Sequence, residues 1–249
     1  MTRNPLVLAA LALAGGQSLA QTTYVGVAVE AQSLNSTSAL PQTLSLSGSG
    51  LDGLGSGDAM AIANFGGLGV SADGTAVPAE AFPTVGASAE ARFTDTLFVS
   101  GTPGSVASLS FAISLAGSCF TTDGATDGHP DAACAAAGSL GGPPSLSLGV
   151  SNDRTSSATV ITWAEGTVLP IGAYLTAGGY AWNGLFDASF ADTLHVYAWS
   201  ETPGVVLTSA SGHDYSPVSA VPEPGDALLL ASGLLMLAHR SRAARPRGR

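Results

Sequence analysis

Between Cys119 and Cys134 the chain carries Asp123, Asp127, His129 and Asp131, four potential ligands within nine residues. Clustered carboxylate oxygens suit a hard cation, and calcium is the one such a loop would take. The EF-hand order of ligands and glycine is absent, and Asp, Gly and Pro are also the ordinary residues of an exposed loop. Asp123, Asp127 and Asp131 are therefore weak candidates for calcium, and no metal or other cofactor is expected. A second group is aromatic and falls late in the chain: Trp163, Tyr174, Tyr180, Trp182, Tyr197 and Trp199, with His195 among them. At strand spacing Tyr180 and Trp182 point the same way, and His195, Tyr197 and Trp199 share a face opposite Leu194 and Val196. Left open to solvent, such rings form a flat stripe on which sugar rings can stack, so Tyr180, Trp182, Tyr197 and Trp199 are candidate carbohydrate contacts. The alternative is that they fill the packing between sheets.

Catalytic groups are harder to assemble. Ser211, His213 and Asp214 lie close together, but a triad is a spatial arrangement and sequence adjacency does not make one. Glu165 and Glu201 are one of several carboxylate pairs that distant strands could bring together for glycoside hydrolysis. No G-x-S-x-G elbow, H-E-x-x-H pair, phosphate loop or dinucleotide fingerprint occurs. The chain reads as a non-enzyme, with an extracellular hydrolase as the third choice.

The elements that must position these residues are strands. Over residues 21–220 short apolar or alternating runs are separated by Gly, Ser, Pro and Asp, with almost no helical periodicity. The pattern predicts strands at 22–30, 59–71, 88–100, 105–117, 145–151, 158–164, 173–182, 187–200 and 205–209. A Gly/Ser loop is expected over 47–58 and a turn at Asp73-Gly74. The expected fold is all-β, a single antiparallel, jelly-roll-like β-sandwich. One internal echo stands out. Phe93-Thr94-Asp95-Thr96-Leu97 leading to Thr102-Pro103-Gly104 is matched by Phe190-Ala191-Asp192-Thr193-Leu194 leading to Thr202-Pro203-Gly204. Each reads as a hairpin: a strand, a Pro-Gly turn and a return strand. Asp95 and Asp192 fall on the apolar side of their strands, where a carboxylate must find solvent or backbone donors.

Lysine is absent, and within residues 21–220 Arg92 and Arg154 are the only basic side chains against 16 carboxylates. Such a body repels phosphate backbones, so nucleic-acid binding is excluded, and anionic membrane surfaces are disfavoured too. Cys119 and Cys134, the only cysteines, are expected to form a disulfide, given the export signal that follows.

Residues 1–20 have the form of a Sec signal peptide: Arg3, an apolar run over 6–14, and Ser18-Leu19-Ala20 before Gln21, which predicts cleavage between Ala20 and Gln21 by way of the Sec translocon. At the other end, Val221-Pro222-Glu223-Pro224-Gly225 cannot be helical. After it, residues 226–239 read as an apolar helix that starts at the N-cap residue Asp226 and is short for a bilayer span. Arg240, Arg242, Arg245, Arg247 and Arg249 then hold the terminus on the cytoplasmic side.

This three-part tail closely resembles the PEP-CTERM sorting signal of Gram-negative bacteria, the match being carried by Val221, Pro222, Glu223 and Pro224, the apolar helix and the terminal arginines. Segments 64–72, 91–97 and 203–215 also look like stretches common in the outward domains of such proteins. The resemblance implies an exosortase substrate. The protein would be exported by Sec, held in the inner membrane by its helix, and passed to the cell surface or an exopolysaccharide-containing matrix. The domain plan expected is 1–20 signal peptide, 21–220 ectodomain and 221–249 sorting signal, with a polysaccharide-binding module as the second reading.

Overall fold

The computed structural model describes residues 21–50, 55–76, 85–123, 132–142, 145–149, 154–182 and 184–217. The segments expected to be a signal peptide (1–20), a sorting motif (221–225), an apolar helix (226–239) and an arginine tail lie outside the described residues. The chain within them is all-β, and no helix among them is long and apolar enough to cross a membrane.

Fourteen strands follow in chain order: β1 (Thr22–Val29), β2 (Gln32–Ser38), β3 (Gln42–Ser49), β4 (Gly55–Asn64), β5 (Gly67–Ala76), β6 (Val85–Ser100), β7 (Val106–Leu115), β8 (Ser118–Asp123), β9 (Ala132–Gly141), β10 (Leu146–Gly149), β11 (Arg154–Trp163), β12 (Thr167–Ala181), β13 (Gly184–Ser200) and β14 (Val206–Ser209). They form two seven-stranded antiparallel sheets. The first runs β10-β9-β12-β6-β1-β2, with β14 also pairing β6, and the second runs β11-β7-β13-β5-β4-β3, with β8 also pairing β13.

Alternation drives this pairing. On β1, Val25, Val27 and Val29 are buried, while Tyr24, Gly26 and Ala28 between them face outward. The inward rows of both sheets merge into one core, as in a β-sandwich. Much of that core is alanine, so bulk comes from Phe93, Phe111, Phe186 and Phe190, each buried and contributing roughly 1.5–3 kcal/mol. The Phe186 ring fits because Gly74 beside it and Gly179 on the facing sheet lack a Cβ; one built there would stand 2.5 and 2.4 Å from the ring.

Several expectations need correction. Residues 47–49 and 55–58 are strand, not loop, because they extend a hairpin whose partners alternate correctly. Residues 59–71 are not one strand: the chain reverses at Phe65-Gly66, where Gly66 adopts φ 83°, and Asp73-Gly74 lies inside β5. The strands β2, β3, β8 and β9 went unread. In β2 only Leu34 is apolar, and in β9 alanine occupies both faces, so neither carries an alternation to detect.

The two echoing segments are not hairpins. β6 belongs to the first sheet, yet after the turn at 102–104 the chain enters β7 in the second; β13 belongs to the second, and after 202–204 it enters β14 in the first. Each return strand pairs with the end of the other segment's outgoing strand: β7 against Leu194–Ser200 and β14 against Leu97–Ser100. The turns match closely. Ser105 N donates to Thr102 O at 3.2 Å and Val205 N to Thr202 O at 3.2 Å, with Gly104 at φ 74° and Gly204 at φ 78°. The repeat is thus a pair of arches that exchange strands between sheets.

Candidate functional site

The four predicted aromatic contacts separate into two pairs. Tyr180, on β12, and Trp182, just beyond it, stand 6.1 Å apart on the first sheet and are 44% and 49% exposed. Tyr197 and Trp199 lie on β13 in the second sheet, facing outward and half-buried. There the Trp199 Nε1 donates to Glu201 Oε1 at 2.6 Å, and Ser110 Oγ donates to the same oxygen at 2.9 Å. Parity within each strand is as expected, but consecutive strands β12 and β13 belong to different sheets, so the stripe does not form. Glu165 sits exposed in the turn between β11 and β12.

A richer surface lies on the outer face of the first sheet, where sequence reasoning did not look. Register brings Tyr174, Arg92 and Tyr24 into one row across β12, β6 and β1. The Arg92 guanidinium lies 4.9 Å from the Tyr174 ring centre and 5.4 Å from that of Tyr24, and its Nε pairs with the Glu90 carboxylate. That bond to Glu90 raises the guanidinium pKa above its ordinary value. The Tyr24 ring lies flat over Gly26, where a Cβ would stand 2.8 Å from its hydroxyl. Beyond a floor of small residues stand Tyr180 and Glu30. Glu30 is the one non-glycine residue with positive φ, 51°, among the described residues, and its carboxylate accepts from Gly86 N. The only sequence signal for this face was the outward parity of Tyr24, Arg92 and Tyr174, which their separation along the chain concealed.

Near the end of the compact body, Asp95 is 4% exposed and gathers a full set of donors. Thr96 N donates to it at 2.7 Å, Ser211 N at 3.1 Å and Tyr215 OH at 2.9 Å, and the Ser211 hydroxyl donates as well. The expectation that Asp95 must find donors is met; the side chain of Asp192 lies outside the described residues. Burial and the adjacent carboxylate push the Tyr215 hydroxyl far above the usual phenol range. His213 turns its ring edge-on to Tyr215 at 4.6 Å and against Gly66, not toward Ser211, and burial lowers its pKa. Ser211 therefore ties the segment after β14 to β6, while the His213 ring packs on the turn at Gly66.

The chain matches no protein-family model and no curated protein.

Asp127 and Asp131 lie outside the described residues, as does the side chain of Asp123. Among the described residues no group of three His, Cys, Asp or Glu has a metal-holding arrangement. Three aspartates do stand in a row across the second sheet, with Asp58 opposite Asp73 and Asp73 opposite Asp187. Burial first, then the two neighbouring charges, raise the Asp73 pKa. Cys119 on β8 and Cys134 on β9 are joined as a disulfide with Cα atoms 5.9 Å apart, which staples one sheet to the other.

Proposed function

We propose that this is a non-enzymatic, exported surface or extracellular-matrix protein of a Gram-negative bacterium, with a single jelly-roll-like ectodomain and a sorting signal at 221–249 that exosortase reads. The observation that carries this reading is the joined Cys119–Cys134 pair, a bond that persists in oxidising compartments and is rare in the cytosol. The acidic, lysine-free composition and the resemblance of the tail support it. So does the closing of the compact body at Tyr215, six residues before Val221. Pro222, Glu223 and Pro224 are the residues the protease would recognise, and the arginines after 239 keep the uncut tail in the inner membrane. The test is the intact mass of the protein recovered from the cell surface. Loss of the residues beyond 221–225, with both cysteines oxidised, is the expected result, and Pro222→Ala with Pro224→Ala should leave the chain in the inner membrane. A surface form with a complete C-terminus would refute processing.

A second reading, polysaccharide binding, is favoured by one observation: Tyr180 and Trp182 are adjacent, outward and about half exposed, leaving apolar ring surface for a ligand to cover.

A further inference from the structure

We propose that the outer face of the first sheet holds a neutral polysaccharide strand in a trough that crosses β9, β12, β6, β1 and β2; this deepens the polysaccharide reading and rests on it.

Four cross-strand rows make the trough. On one side Tyr180 on β12 and Glu30 flank Gly86, and on the other Tyr174, Arg92 and Tyr24 stand shoulder to shoulder. The two rows between them are low, except where Glu90 reaches back to Arg92 and where the Tyr24 ring covers Gly26. One is Ala135, Gly178, Ser88, Ala28 and Ser33; the other is Ala137, Thr176, Glu90, Gly26 and Asn35. Side chains this short leave a hollow of about 620 Å³ over β9, β12 and β6, and a second of about 300 Å³ over β6, β1 and β2. The two share Ala28, Ser88 and Thr176, so they adjoin. Across five strands at ~4.8 Å spacing the rows run roughly 19 Å, which suits a polymer better than a compact ligand.

The lining selects the chemistry. Methyl groups and glycine backbone give a flat apolar floor, which matches the C–H face of a pyranose. Ser33, Asn35, Ser88 and Thr176 supply short hydroxyl and amide groups, and Glu30 supplies an acceptor for sugar hydroxyls. The tyrosines contribute ring surface at the rims. An acidic polymer is disfavoured: Arg92 is already paired with Glu90, Glu30 is unbalanced, and the body around the face holds 16 carboxylates against two arginines. A peptide strand is disfavoured because β12, β6 and β1 are each paired on both sides and offer no backbone edge here. Glu30 adds a detail in keeping with this. Its left-handed backbone would suit glycine better, and the side chain retained there stands at the trough rim, bonded to Gly86.

The test is affinity electrophoresis of the exported full chain through gels containing galactomannan, xyloglucan or soluble β-glucan, with alginate as the polyanion. Retardation by at least one neutral polymer and none by alginate is expected. Tyr24→Ala with Tyr174→Ala should weaken binding roughly tenfold. Ala135→Trp, which fills the trough from an exposed position, should abolish it at an unchanged melting temperature, and Trp199→Ala on the other sheet should bind as wild type. Wild-type binding that survives both trough variants, or is lost in Trp199→Ala alone, overturns the trough and leaves polysaccharide binding standing elsewhere. Binding to alginate alone overturns the neutral class. No retardation by any polymer overturns both the trough and the second reading, while the sorting tail is judged by the mass experiment alone.

Discussion

Asp95 and Asp73 both sit on interior strands of their sheets, and their surroundings treat them in opposite ways. Asp95 is the more deeply buried, yet four donors from Thr96, Ser211 and Tyr215 meet its oxygens. Asp73 is less buried, but directly across from it on either side stand Asp58 and Asp187. The cost of a carboxylate is therefore set less by depth than by what faces it: donors make burial tolerable, and like charges make even a half-open position unfavourable.

The sharpest way to break this comparison is Asp95→Ala. It leaves the Thr96 and Ser211 amides and the Ser211 and Tyr215 hydroxyls without their acceptor, and should cost roughly 3–4 kcal/mol, read from the urea midpoint at constant slope. A loss under about 1 kcal/mol would mean that solvent takes the place of the carboxylate and that the donors are not what holds it. Next in size is the disulfide. Replacing Cys119 and Cys134 by serine should remove about 3 kcal/mol, the chain-entropy value for a loop of this length. Because it touches neither aspartate, the dependence of stability on pH should keep its shape; a changed shape would show that the staple also sets the environment of one of them. The smallest effect has the opposite sign. Asp73→Asn should stabilise the protein at pH 7 by up to ~1 kcal/mol, less as salt and solvent screen the row. The raised folded pKa means the native state binds the proton more tightly than the unfolded chain. The repulsion is thus absent below the ordinary value of 3.8 and stability falls as pH rises through the folded pKa. Thermal melts of both proteins from pH 3 to 7 should converge at the acid end, and a gain that persists at pH 3 would trace the effect to packing.

The period-two pattern was enough to read the all-β class and most long strands, since Val25, Val27 and Val29 or Leu109, Phe111 and Ile113 alternate cleanly with polar or small neighbours. It failed where the residues themselves are uninformative. In β9 alanine faces both the core and the solvent, and in β2 the outer position of the strand leaves little to bury. The echo of 93–104 in 190–204 was visible as letters, and its turns proved alike. Its meaning was not, because nothing in a strand–turn–strand pattern says whether the return strand pairs with its own partner or crosses to the facing sheet. The same blindness divided the aromatic stripe. Within each pair, Tyr180 with Trp182 and Tyr197 with Trp199, period two places both rings on one side, but membership of a sheet is decided by pairings far away in the chain. Conversely the row of Tyr24, Arg92 and Tyr174 spans 150 residues and exists only through the registers of β1, β6 and β12.

The exchanged arches also decide how the molecule carries load. β14 lies alongside β6, filling the side of that strand beyond the reach of β1, while β12 flanks it on the other side. The chain then runs from β14 to Tyr215, whose hydroxyl is bonded to Asp95 on the same strand. A pull applied just after Tyr215 is therefore met by both sheets, because the Tyr215 carbonyl also accepts from Ala198 N on β13 at 2.8 Å. It does not reach β2 or β10, the margins that could be unzipped one bond at a time.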